Sequence, residues 1–507
     1  MKYFHQKIEF QSGISTVEML IAFLVVILSI TAVIGVVFGS QSIGLDTETN
    51  QEAQLLAQDR LEDARALSRE DFNSVNDTAT TTITIEGLNY GHKNLVTDIS
   101  VCAKQVLSRI LWSDETRPQN IKISTTVTSP KEAAASGGDC ASAPPEDNWR
   151  NPHSNCPDYC ADLVPSGNKG SDIDVLEING AKVAFLSSTT GAPAKPDFWI
   201  IDVDDTPPTQ PSIISSLETG EGLNALDVAE ATDGYYYAYA AHNHTTDQFQ
   251  IIRIDPSDLT APTLVKSCAL PGVGNSYPQG WSIFYFDQKV YIATRETAGD
   301  EFHIYDVSDL SQPCAVMHEG SREINHNVND IIVRNQMVAG VPKVLAYLAS
   351  SVTSPAAPEL IVLDVTNPGL ISQLGSYNLP GTRYATALYL VSNKLYLGQE
   401  RATGSESDFH ILNVSDPVSP TVFGSKQIVL GPNTQIEGII VSGNLAFIAT
   451  THTTAGFQVW SIINPANIIN HSTFNYSEKA TGIDYLDNRV YVSNESNNAL
   501  RVIVDNP

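Results

Sequence analysis

The sequence predicts a fold in two parts: a long N-terminal α-helix with a small antiparallel sheet, followed by an all-β seven-bladed propeller. Three observations predict it. Residues 19–38 are apolar and uncharged, a helical spacing of apolar residues follows them, and one strand motif recurs from residue 198 to the C-terminus. A repeat of about 40–50 residues that holds several short strands is typical of propeller blades.

The charge balance limits the kinds of partner that the chain can bind. The chain has 507 residues, with 57 acidic against 29 Lys and Arg side chains, and a formal net charge of −28. A surface this acidic repels phosphate backbones, and the sequence holds no basic stripe, so nucleic acid is excluded as a partner. The charge says nothing about the fold, because net charge acts on solubility and association.

The N-terminal segment predicts a membrane span. The leader Met1–Gly13 carries Lys2 and Lys7, and the following stretch Met19–Phe38 holds no charged residue. About 20 apolar residues are long enough to cross the hydrocarbon layer as a helix. Because the basic residues precede the span and Asp46 follows it, the leader is expected in the cytoplasm and the bulk of the chain outside the inner membrane.

Gly13, Ile14 and Glu18 precede the apolar stretch, whereas a secretory signal has its small-residue cleavage site after a shorter one. This order resembles the prepilin signal of type IV pilins, and the segment 14–38 resembles their membrane-spanning assembly helix. The resemblance implies that a prepilin peptidase cleaves between Gly13 and Ile14 and that Ile14 is then N-methylated. It also implies that Glu18 pairs with the N-terminal amine of a neighbouring subunit. The alternative for Glu18 is a carboxylate that snorkels to the boundary of a simple anchor.

Residues 39–130 form the next region. Apolar residues three to five positions apart in 51–68 predict a helix, and residues 80–86, 104–112 and 119–128 predict strands. A helix on a small antiparallel sheet resembles the head of minor pilins, so this region is predicted to be a pilin-like head.

Residues 131–170 lack periodicity and are rich in Ala, Ser, Gly and Pro, which predicts a linker. Cys140, Cys156 and Cys160 lie in it, and Cys102 precedes it. Outside the cytoplasm these four are candidates for disulfide bonds, whose connectivity the spacing does not give. Zinc is the alternative, but one Cys-x-x-x-Cys without a second pair is a weak signal, and we expect no metal.

A strand motif organises residues 171–507. Its seven copies open at Phe198, Phe249, Phe302, Leu360, Phe409, Phe457 and Leu500. Most copies end in Asp or Asn followed by Pro, the chemistry of a tight turn. A hairpin such as 436–450 precedes the motif and a short fourth strand such as 421–425 follows most copies, which predicts seven four-stranded blades. The motif resembles the LVIVD-repeat propeller family.

The last copy leaves no room for a fourth strand before Pro507. Blade seven is therefore predicted to borrow one from the segment before blade one, and Ala161–Pro165 has the right spacing. Closing the ring in this way removes exposed sheet edges.

Three groups of polar residues could carry chemistry: His242 with His244, Asn325–Asn327, and the carboxylates of Asp202, Asp204 and Asp205. Each is interpreted as structural, because no third metal ligand lies near the two histidines and the Asp at the fifth motif position recurs between copies. No nucleophile elbow, phosphate loop or zinc-protease motif is present, so no catalytic residue and no cofactor are predicted.

The expected function is that of a type IV minor pilin or pilus-tip surface protein that displays its propeller for binding or adhesion. The expected partners are pilin subunits of the same fibre, the prepilin peptidase, the inner membrane and a surface ligand. Two alternatives remain: a type II secretion pseudopilin, and a membrane-tethered enzyme with a pocket in the propeller channel. Charged groups that converge on that channel from several blades would favour the enzyme.

Overall fold

The computed structural model describes residues 24, 49–69, 71–78, 80–85, 88–100, 102–114, 117–129, 149–163, 169–189, 195–204, 210–274, 279–351, 357–379, 383–400, 406–428, 431 and 434–505. Gly13, Ile14, Glu18 and Cys140 lie outside these residues, and so does all of the predicted span except Leu24, which is helical. Within the described ranges no helix is both long enough and apolar enough to span a membrane.

The chain divides into two compact units. The first takes the chain up to Asp63 together with Asp77–Leu95 and Leu107–Thr125, and the second takes Ala64–Asn76, Val96–Val106 and Thr126–Pro507. The propeller belongs to the second unit.

A helix and a four-stranded sheet account for residues 49–128. Residues 49–69 are helical (α1), and a 3-10 turn follows at Phe72–Ser74. The antiparallel sheet has the order β1 (Thr81–Ile85), β2 (Leu88–Ser100), β3 (Ala103–Asp114), β4 (Arg117–Thr128). In the first unit Ala53 and Ala57 pack against Tyr90, Ile110 and Trp112, because small side chains let the helix approach the sheet closely.

Seven further sheets follow in chain order, each a blade of antiparallel strands. Blade one comprises β7 (Gly170–Ile178), β8 (Ala181–Ser188), β9 (Phe198–Asp202) and β10 (Ser212–Leu217). Blade two comprises β11 (Leu223–Glu230), β12 (Tyr236–His242), β13 (Phe249–Asp255) and β14 (Asp258–Cys268). Blade three comprises β15 (Gly280–Phe286), β16 (Lys289–Thr294), β17 (Phe302–Asp306) and β18 (His318–Arg322). Blades four and five comprise β19 (Asn327–Val338), β20 (Val341–Ser351), β21 (Leu360–Asp364) and β22 (Ser372–Tyr377); β23 (Ala385–Val391), β24 (Lys394–Gln399), β25 (Phe409–Asn413) and β26 (Thr421–Lys426). Blade six comprises β27 (Ile436–Ser442), β28 (Leu445–Thr450), β29 (Phe457–Ser461) and β30 (Ile469–Phe474). Blade seven comprises β31 (Ala480–Leu486), β32 (Arg489–Asn494) and β33 (Leu500–Asp505), and two short strands from earlier in the chain, β5 (Pro152–His153) and β6 (Cys160–Ala161), pair with β33. Short helices lie at Cys314–Met317 (α2), Pro368–Leu370 and Pro465–Asn467.

The blades form a closed ring. The innermost strand of each blade contacts the innermost strand of the next, and β31 of blade seven contacts β7 of blade one. The two middle strands of each blade are buried almost throughout, as in β12 and β9, whereas an outer strand such as β10 is largely exposed. Blades cover both faces of their neighbours, which is why the strand motif is a continuous apolar run rather than an alternating one.

Blade seven borrows its last strand from the segment before blade one, as predicted, but the borrowed strand begins earlier and overlaps the predicted Ala161–Pro165 only at Ala161. His153 of β5 pairs with Val504, and Ala161 of β6 pairs with Leu500, so residues 152–161 take the place predicted for Ala161–Pro165. A loop closed by the Cys156–Cys160 disulfide separates the two short strands. Pro152 and this loop interrupt the strand pattern, so periodicity alone could not give the bounds of the borrowed strand.

Trp149 holds the start of this closing segment in the core between blades six and seven. Its side chain is fully buried, with ring centroids 4.8 Å from Phe447 and 6.1 Å from Phe457. Its indole Nε1 donates to Asn488 Oδ1 at 2.9 Å, and its carbonyl accepts from Ser472 Oγ at 2.5 Å. A residue far from the motif repeat in sequence therefore joins two blades at the point of closure.

Turns at the end of the strand motif pack against the preceding blade. A Cβ added at Gly320, Gly375 or Gly424 of the fourth strands would lie 1.9, 2.1 or 1.7 Å from the carbonyl oxygens of Pro368, Pro417 and Pro465. Only glycine lets these backbones approach so closely, which accounts for the Gly of the fourth strand in these three blades.

Candidate functional site: the central channel

The seven innermost strands surround a cavity of about 610 Å³. Side chains from every blade line it, including Asp172, Asp227, Trp281, Asp330 and Glu437. A concave cavity with several polar groups converging on it is the kind of place where proteins bind small ligands.

Each innermost strand has a one-residue bulge near its start, at the third residue of β19 and at the second residue of the other six, and the bulge residue has no direct partner in the hairpin. The seven residues at this bulge position are Ser171, Asn224, Trp281, Asn329, Thr386, Glu437 and Thr481.

Five of these side chains join adjacent blades. Each donates a hydrogen bond to the carbonyl at the start of the next innermost strand, at distances of 2.5, 2.6, 2.5, 2.6 and 2.9 Å: Ser171 to Leu223, Asn224 to Gly280, Asn329 to Ala385, Thr386 to Ile436, and Thr481 to Gly170. Ser, Thr and Asn side chains are all neutral hydrogen-bond donors. The residue at the bulge position therefore has a structural role, which is to bond each blade to the next.

Aspartates form a second link between blades. Each accepts the backbone N–H of the next innermost strand, at distances of 3.0, 2.7, 2.7, 2.6 and 2.6 Å: Asp172 from Leu226, Asp174 from Val228, Asp227 from Tyr285, Asp330 from Leu388, and Asp484 from Val175. Burial raises the pKa of Asp172 and Asp330 to about 7 and that of Asp174 to about 6. Burial and the nearby carboxylates of Asp174 and Asp172 raise the pKa of Asp227 well above its usual range.

These shifts predict a measurable pH dependence. A carboxyl whose pKa is raised on folding stabilises the fold below its unfolded pKa and loses that contribution as the pH rises through its folded pKa. For Asp330 the window runs from 3.8 to about 7. We expect the free energy of unfolding of the natural chain, minus that of Asp330→Asn, to fall between pH 4 and pH 8. The full pKa difference would give a larger fall at about 1.4 kcal/mol for each pKa unit, but water in the channel screens the charge. We therefore expect this difference in the free energy of unfolding to fall by about 2 kcal/mol.

Urea denaturation at each pH measures this difference, and the variant comparison is needed because histidines act in the opposite direction. Burial lowers the pKa of His303 and His410 to about 4, so their contribution is lost as the pH falls. Asp306→Asn is the matched control: burial raises the pKa of Asp306, but hydrogen bonds from Ser308 and the charge of Lys289 outweigh it and leave the pKa lowered. Its difference curve is expected to be flat, and an equally flat curve for Asp330→Asn would contradict the prediction.

Two basic side chains also reach the channel. The Arg334 guanidinium, 2% exposed, donates to Gln336 Oε1 at 2.8 Å and to the carbonyl of Ser392, which ties blade four to blade five. The Arg295 guanidinium lies over the Trp281 ring, 3.7 Å from its centroid.

The histidine pair lies close together, and the ring nitrogens of His242 have hydrogen-bond partners in the backbone. The His242 and His244 rings stack with centroids 5.5 Å apart. His242 Nδ1 donates to the Asp247 carbonyl at 2.7 Å, and its Nε2 accepts from the Glu221 backbone N–H at 3.2 Å, so both ring nitrogens are used. Within the described ranges no group of three or more His, Cys, Asp or Glu side chains could hold a metal ion.

The structure confirms the turn interpretation of the recurrent Asp. Asp202, Asp306, Asp364 and Asn413 each accept the backbone N–H of the residue two positions later, at 2.9–3.1 Å. Asp205 lies outside the described residues. In the Asn325–Asn327 group, Asn325 adopts a positive φ of 64°, and the Asn327 side chain accepts the backbone N–H of Glu296 at 2.7 Å.

Sequence reasoning missed a second set of acids, at the residue just before the strand motif. Asp197, Glu301, Glu359 and Asp408 are fully buried and accept backbone N–H groups that follow the fourth strand of the same blade, from Thr219, Ile324, Leu379 and Ile428. An acidic residue at this position in four copies was the available signal.

Every cysteine among the described residues is disulfide-bonded. Cys156 pairs with Cys160, and Cys102 is bonded as well. Cys268 pairs with Cys314, a link that the sequence analysis did not propose. It joins the end of the outer strand of blade two to α2, which precedes the outer strand of blade three.

No family model matches the chain, and no curated protein matches it. Similar solved structures include the Cps50 (Swd1) β-propeller domain of Myceliophteria thermophila, with 11% identity and a TM-score of 0.44 over 69% of this chain and 99% of that one. The WD40 β-propeller domain of Doa1 has 12% identity and a TM-score of 0.42 over 68% and 96%. A virginiamycin B lyase of Staphylococcus aureus has 10% identity and a TM-score of 0.39 over 70% and 98%. Such distant likenesses carry no functional argument.

Proposed function

We propose that this chain is a minor pilin or pilus-tip protein of a type IV pilus system, which displays its propeller outside the inner membrane for binding or adhesion. The proposal starts from Gly13, Ile14 and Glu18 and from the uncharged stretch that follows them. The observation that carries it furthest is the packing of α1 on the antiparallel sheet ahead of the propeller, with Ala53 and Ala57 against Tyr90. That is the arrangement expected of a pilin head.

The cysteines support a location outside the cytoplasm. Disulfides persist in oxidising compartments and are rare where thiols are kept reduced. The described cysteines are all bonded, and Cys268–Cys314 joins two neighbouring blades. This agrees with the orientation that the basic leader predicts for the span.

The size of the propeller favours a low-copy position. It takes most of the chain, whereas the helix and sheet occupy residues 49–128. Subunits along a fibre pack closely through their N-terminal helices, and a domain of this bulk on each would crowd its neighbours. A tip or otherwise scarce subunit avoids the crowding.

The test is a pair of matched substitutions in the full chain, expressed with the pilus system of its own host. Glu18→Gln removes the proposed assembly carboxylate, and Glu9→Gln makes the same chemical change in the leader. We expect the natural chain and Glu9→Gln in sheared fibres as a minor component, with a methylated Ile14 N-terminus by mass spectrometry. Glu18→Gln should be cleaved yet at least tenfold depleted from fibres.

An intact N-terminus with residues 1–13 retained, or absence of the natural chain from fibres, would overturn the proposal. Presence in a secretion complex with no extracellular fibre would support the pseudopilin instead.

A membrane-tethered propeller enzyme is the second candidate, because carboxyl groups with raised pKa values converge on the channel from adjacent blades. Asp174 and Asp227 belong to blades one and two, and a raised pKa is a property of general acids. Their hydrogen bonds to Val228 and Tyr285 favour a structural role. Substrate turnover that is lost in both Asp174→Asn and Asp227→Asn, with folding retained, would favour the enzyme.

A further inference from the structure

Two blades depart from the structural rule of the bulge position. In blade three the position holds Trp281, and the link to the next blade is made instead by Ser282 Oγ, which donates to the Val328 carbonyl at 3.2 Å. In blade six it holds Glu437, and no link from Glu437 to blade seven is found among the described residues. In a repeat, one position normally has the same structural role in every copy. A copy whose residue lacks that role is therefore a candidate for a functional site.

The two departures face one another across the channel. Blades three and six are three blades apart, the widest separation in a ring of seven. Trp281 and Glu437 lie near the starts of β15 and β27. Arg295 follows the end of β16 in blade three, and Glu495 follows the end of β32 in blade seven, next to blade six. All four line the cavity at the same end, and Trp281, Arg295, Glu437 and Glu495 define what we call the channel mouth.

Trp281 is available to a ligand. Of the five tryptophans in the chain, Trp112, Trp149, Trp199 and Trp460 are buried, whereas Trp281 is partly exposed. Arg295 stacks on its ring, and no hydrogen bond from its indole N–H is found within the described ranges. An aromatic ring with a polar handle offers both an apolar surface and a donor.

The opposite side supplies acceptors. Glu437 accepts from Gln435 Nε2 at 2.6 Å through Oε1, and no hydrogen bond of its Oε2 is found among the described residues. Glu495 is exposed, and its Oε2 lies 4.0 Å from Lys169 Nζ. Donors and acceptors therefore face one another across an opening that one aromatic ring borders.

Charge narrows the ligand class. Arg295 stacks on Trp281 and Lys169 lies beside Glu495, so these two cations lie against groups of the mouth itself. Burial raises the pKa of the Glu437 carboxyl to about 7, so near neutral pH it is partly protonated and can donate as well as accept a hydrogen bond. A neutral ligand must supply its own donors and acceptors beside apolar C–H surface to use these groups. Sugars have that combination. We propose that the channel mouth binds a neutral saccharide unit, with Trp281 against a sugar face and Glu437 accepting from its hydroxyl groups.

This inference rests on the proposed binding role of the propeller and names its ligand class. The test uses the full chain in lauryldimethylamine oxide, a detergent without a sugar headgroup. A glycan array that holds neutral, sialylated and amino-sugar structures identifies binders. The strongest is then titrated while acrylamide quenching of tryptophan emission is recorded. We expect a neutral glycan to bind and to shield the emission of Trp281, since the other tryptophans are buried already.

Three variants locate the site. Trp281→Phe removes the indole N–H while keeping a ring, and Glu437→Gln keeps the shape while replacing the carboxyl with an amide. Each should weaken binding at least tenfold with an unchanged melting temperature. Glu177→Gln is the matched control, because it makes the same chemical change as Glu437→Gln at an exposed residue of β7 that does not line the cavity, and it should leave the affinity unchanged.

Binding of cationic or anionic glycans alone, no binding to any neutral structure on the array, or equal affinity for Trp281→Phe would each overturn the inference. Failure of the proposed function is separate, because it shows as absence from fibres while the purified chain still binds the glycan.

Discussion

Trp149→Ala is expected to destabilise the propeller more than any other substitution proposed for this chain. The side chain is fully buried between Phe447 and Phe457, and its indole donates to Asn488. Removing a buried Trp leaves a cavity and removes dispersion contacts, which together amount to about 3–5 kcal/mol. The substitution also weakens the anchor of the closing segment, so the ring should open more readily at blade seven. Urea denaturation followed by circular dichroism measures the loss, since emission changes when a tryptophan is removed.

Leu370→Ala is the control for Trp149→Ala. Leu370 is also a large apolar residue, but 75% of its surface is exposed, so its removal should change the free energy of unfolding by less than about 0.5 kcal/mol. Native hydrogen exchange adds a local readout: in Trp149→Ala the amides of β33 should exchange faster, because β5 and β6 pair with that strand. A loss below about 1 kcal/mol, or unchanged exchange in β33, would show that the ring closes without this anchor.

Removal of the Cys268–Cys314 disulfide is expected to have the next largest effect. The bond spans a sequence separation of 46 residues, whereas Cys156–Cys160 spans 4. In the chain-entropy description a longer closed loop restricts the unfolded state more, which amounts to about 4 kcal/mol for the first bond and about 2 kcal/mol for the second. Cys268→Ala with Cys314→Ala should therefore lower the free energy of unfolding about twice as much as Cys156→Ala with Cys160→Ala.

Urea denaturation of both double variants at one pH, each checked for the remaining disulfides by mass spectrometry, makes the comparison. The natural chain in dithiothreitol should lose at least the sum of the two effects, because the reagent also reduces the disulfide bond of Cys102. Equal losses for the two double variants would mean instead that Cys156–Cys160 also holds β5 and β6 against β33, a native-state contribution that loop length does not describe.

Most of the propeller could be predicted from local sequence patterns. The strand motif opening at Phe409 and Phe457 has enough apolar length to show a buried strand, and its Asp or Asn shows the turn, so blade number and order were readable without tertiary information. The segment that supplies the closing strand was readable as well, but its bounds were not, because Pro152 and the Cys156–Cys160 loop break the pattern and only the pairing with β33 shows them.

The candidate site was the least predictable part. Trp281 and Glu437 stand 156 positions apart in sequence, and neither belongs to a recognisable motif. Their equivalence becomes visible only when the bulges at Gly280/Ser282 and Ile436/Gly438 align the innermost strands. A bulge depends on pairing across a hairpin, and pairing register is a tertiary property that one strand does not encode alone.

By itself the sequence determined that residues 171–507 repeat one strand unit seven times and that the last copy lacks its fourth strand, because burial on both faces and tight turns leave marks on every copy. It also determined the prepilin-like order of Gly13, Ile14 and Glu18, which stays a prediction. The tertiary structure decided which residues close the ring, which cysteines join blades two and three, and which side chains meet at the channel. Those outcomes depend on contacts between residues far apart in the chain, where many partners satisfy the same local pattern and only the packed ring selects among them.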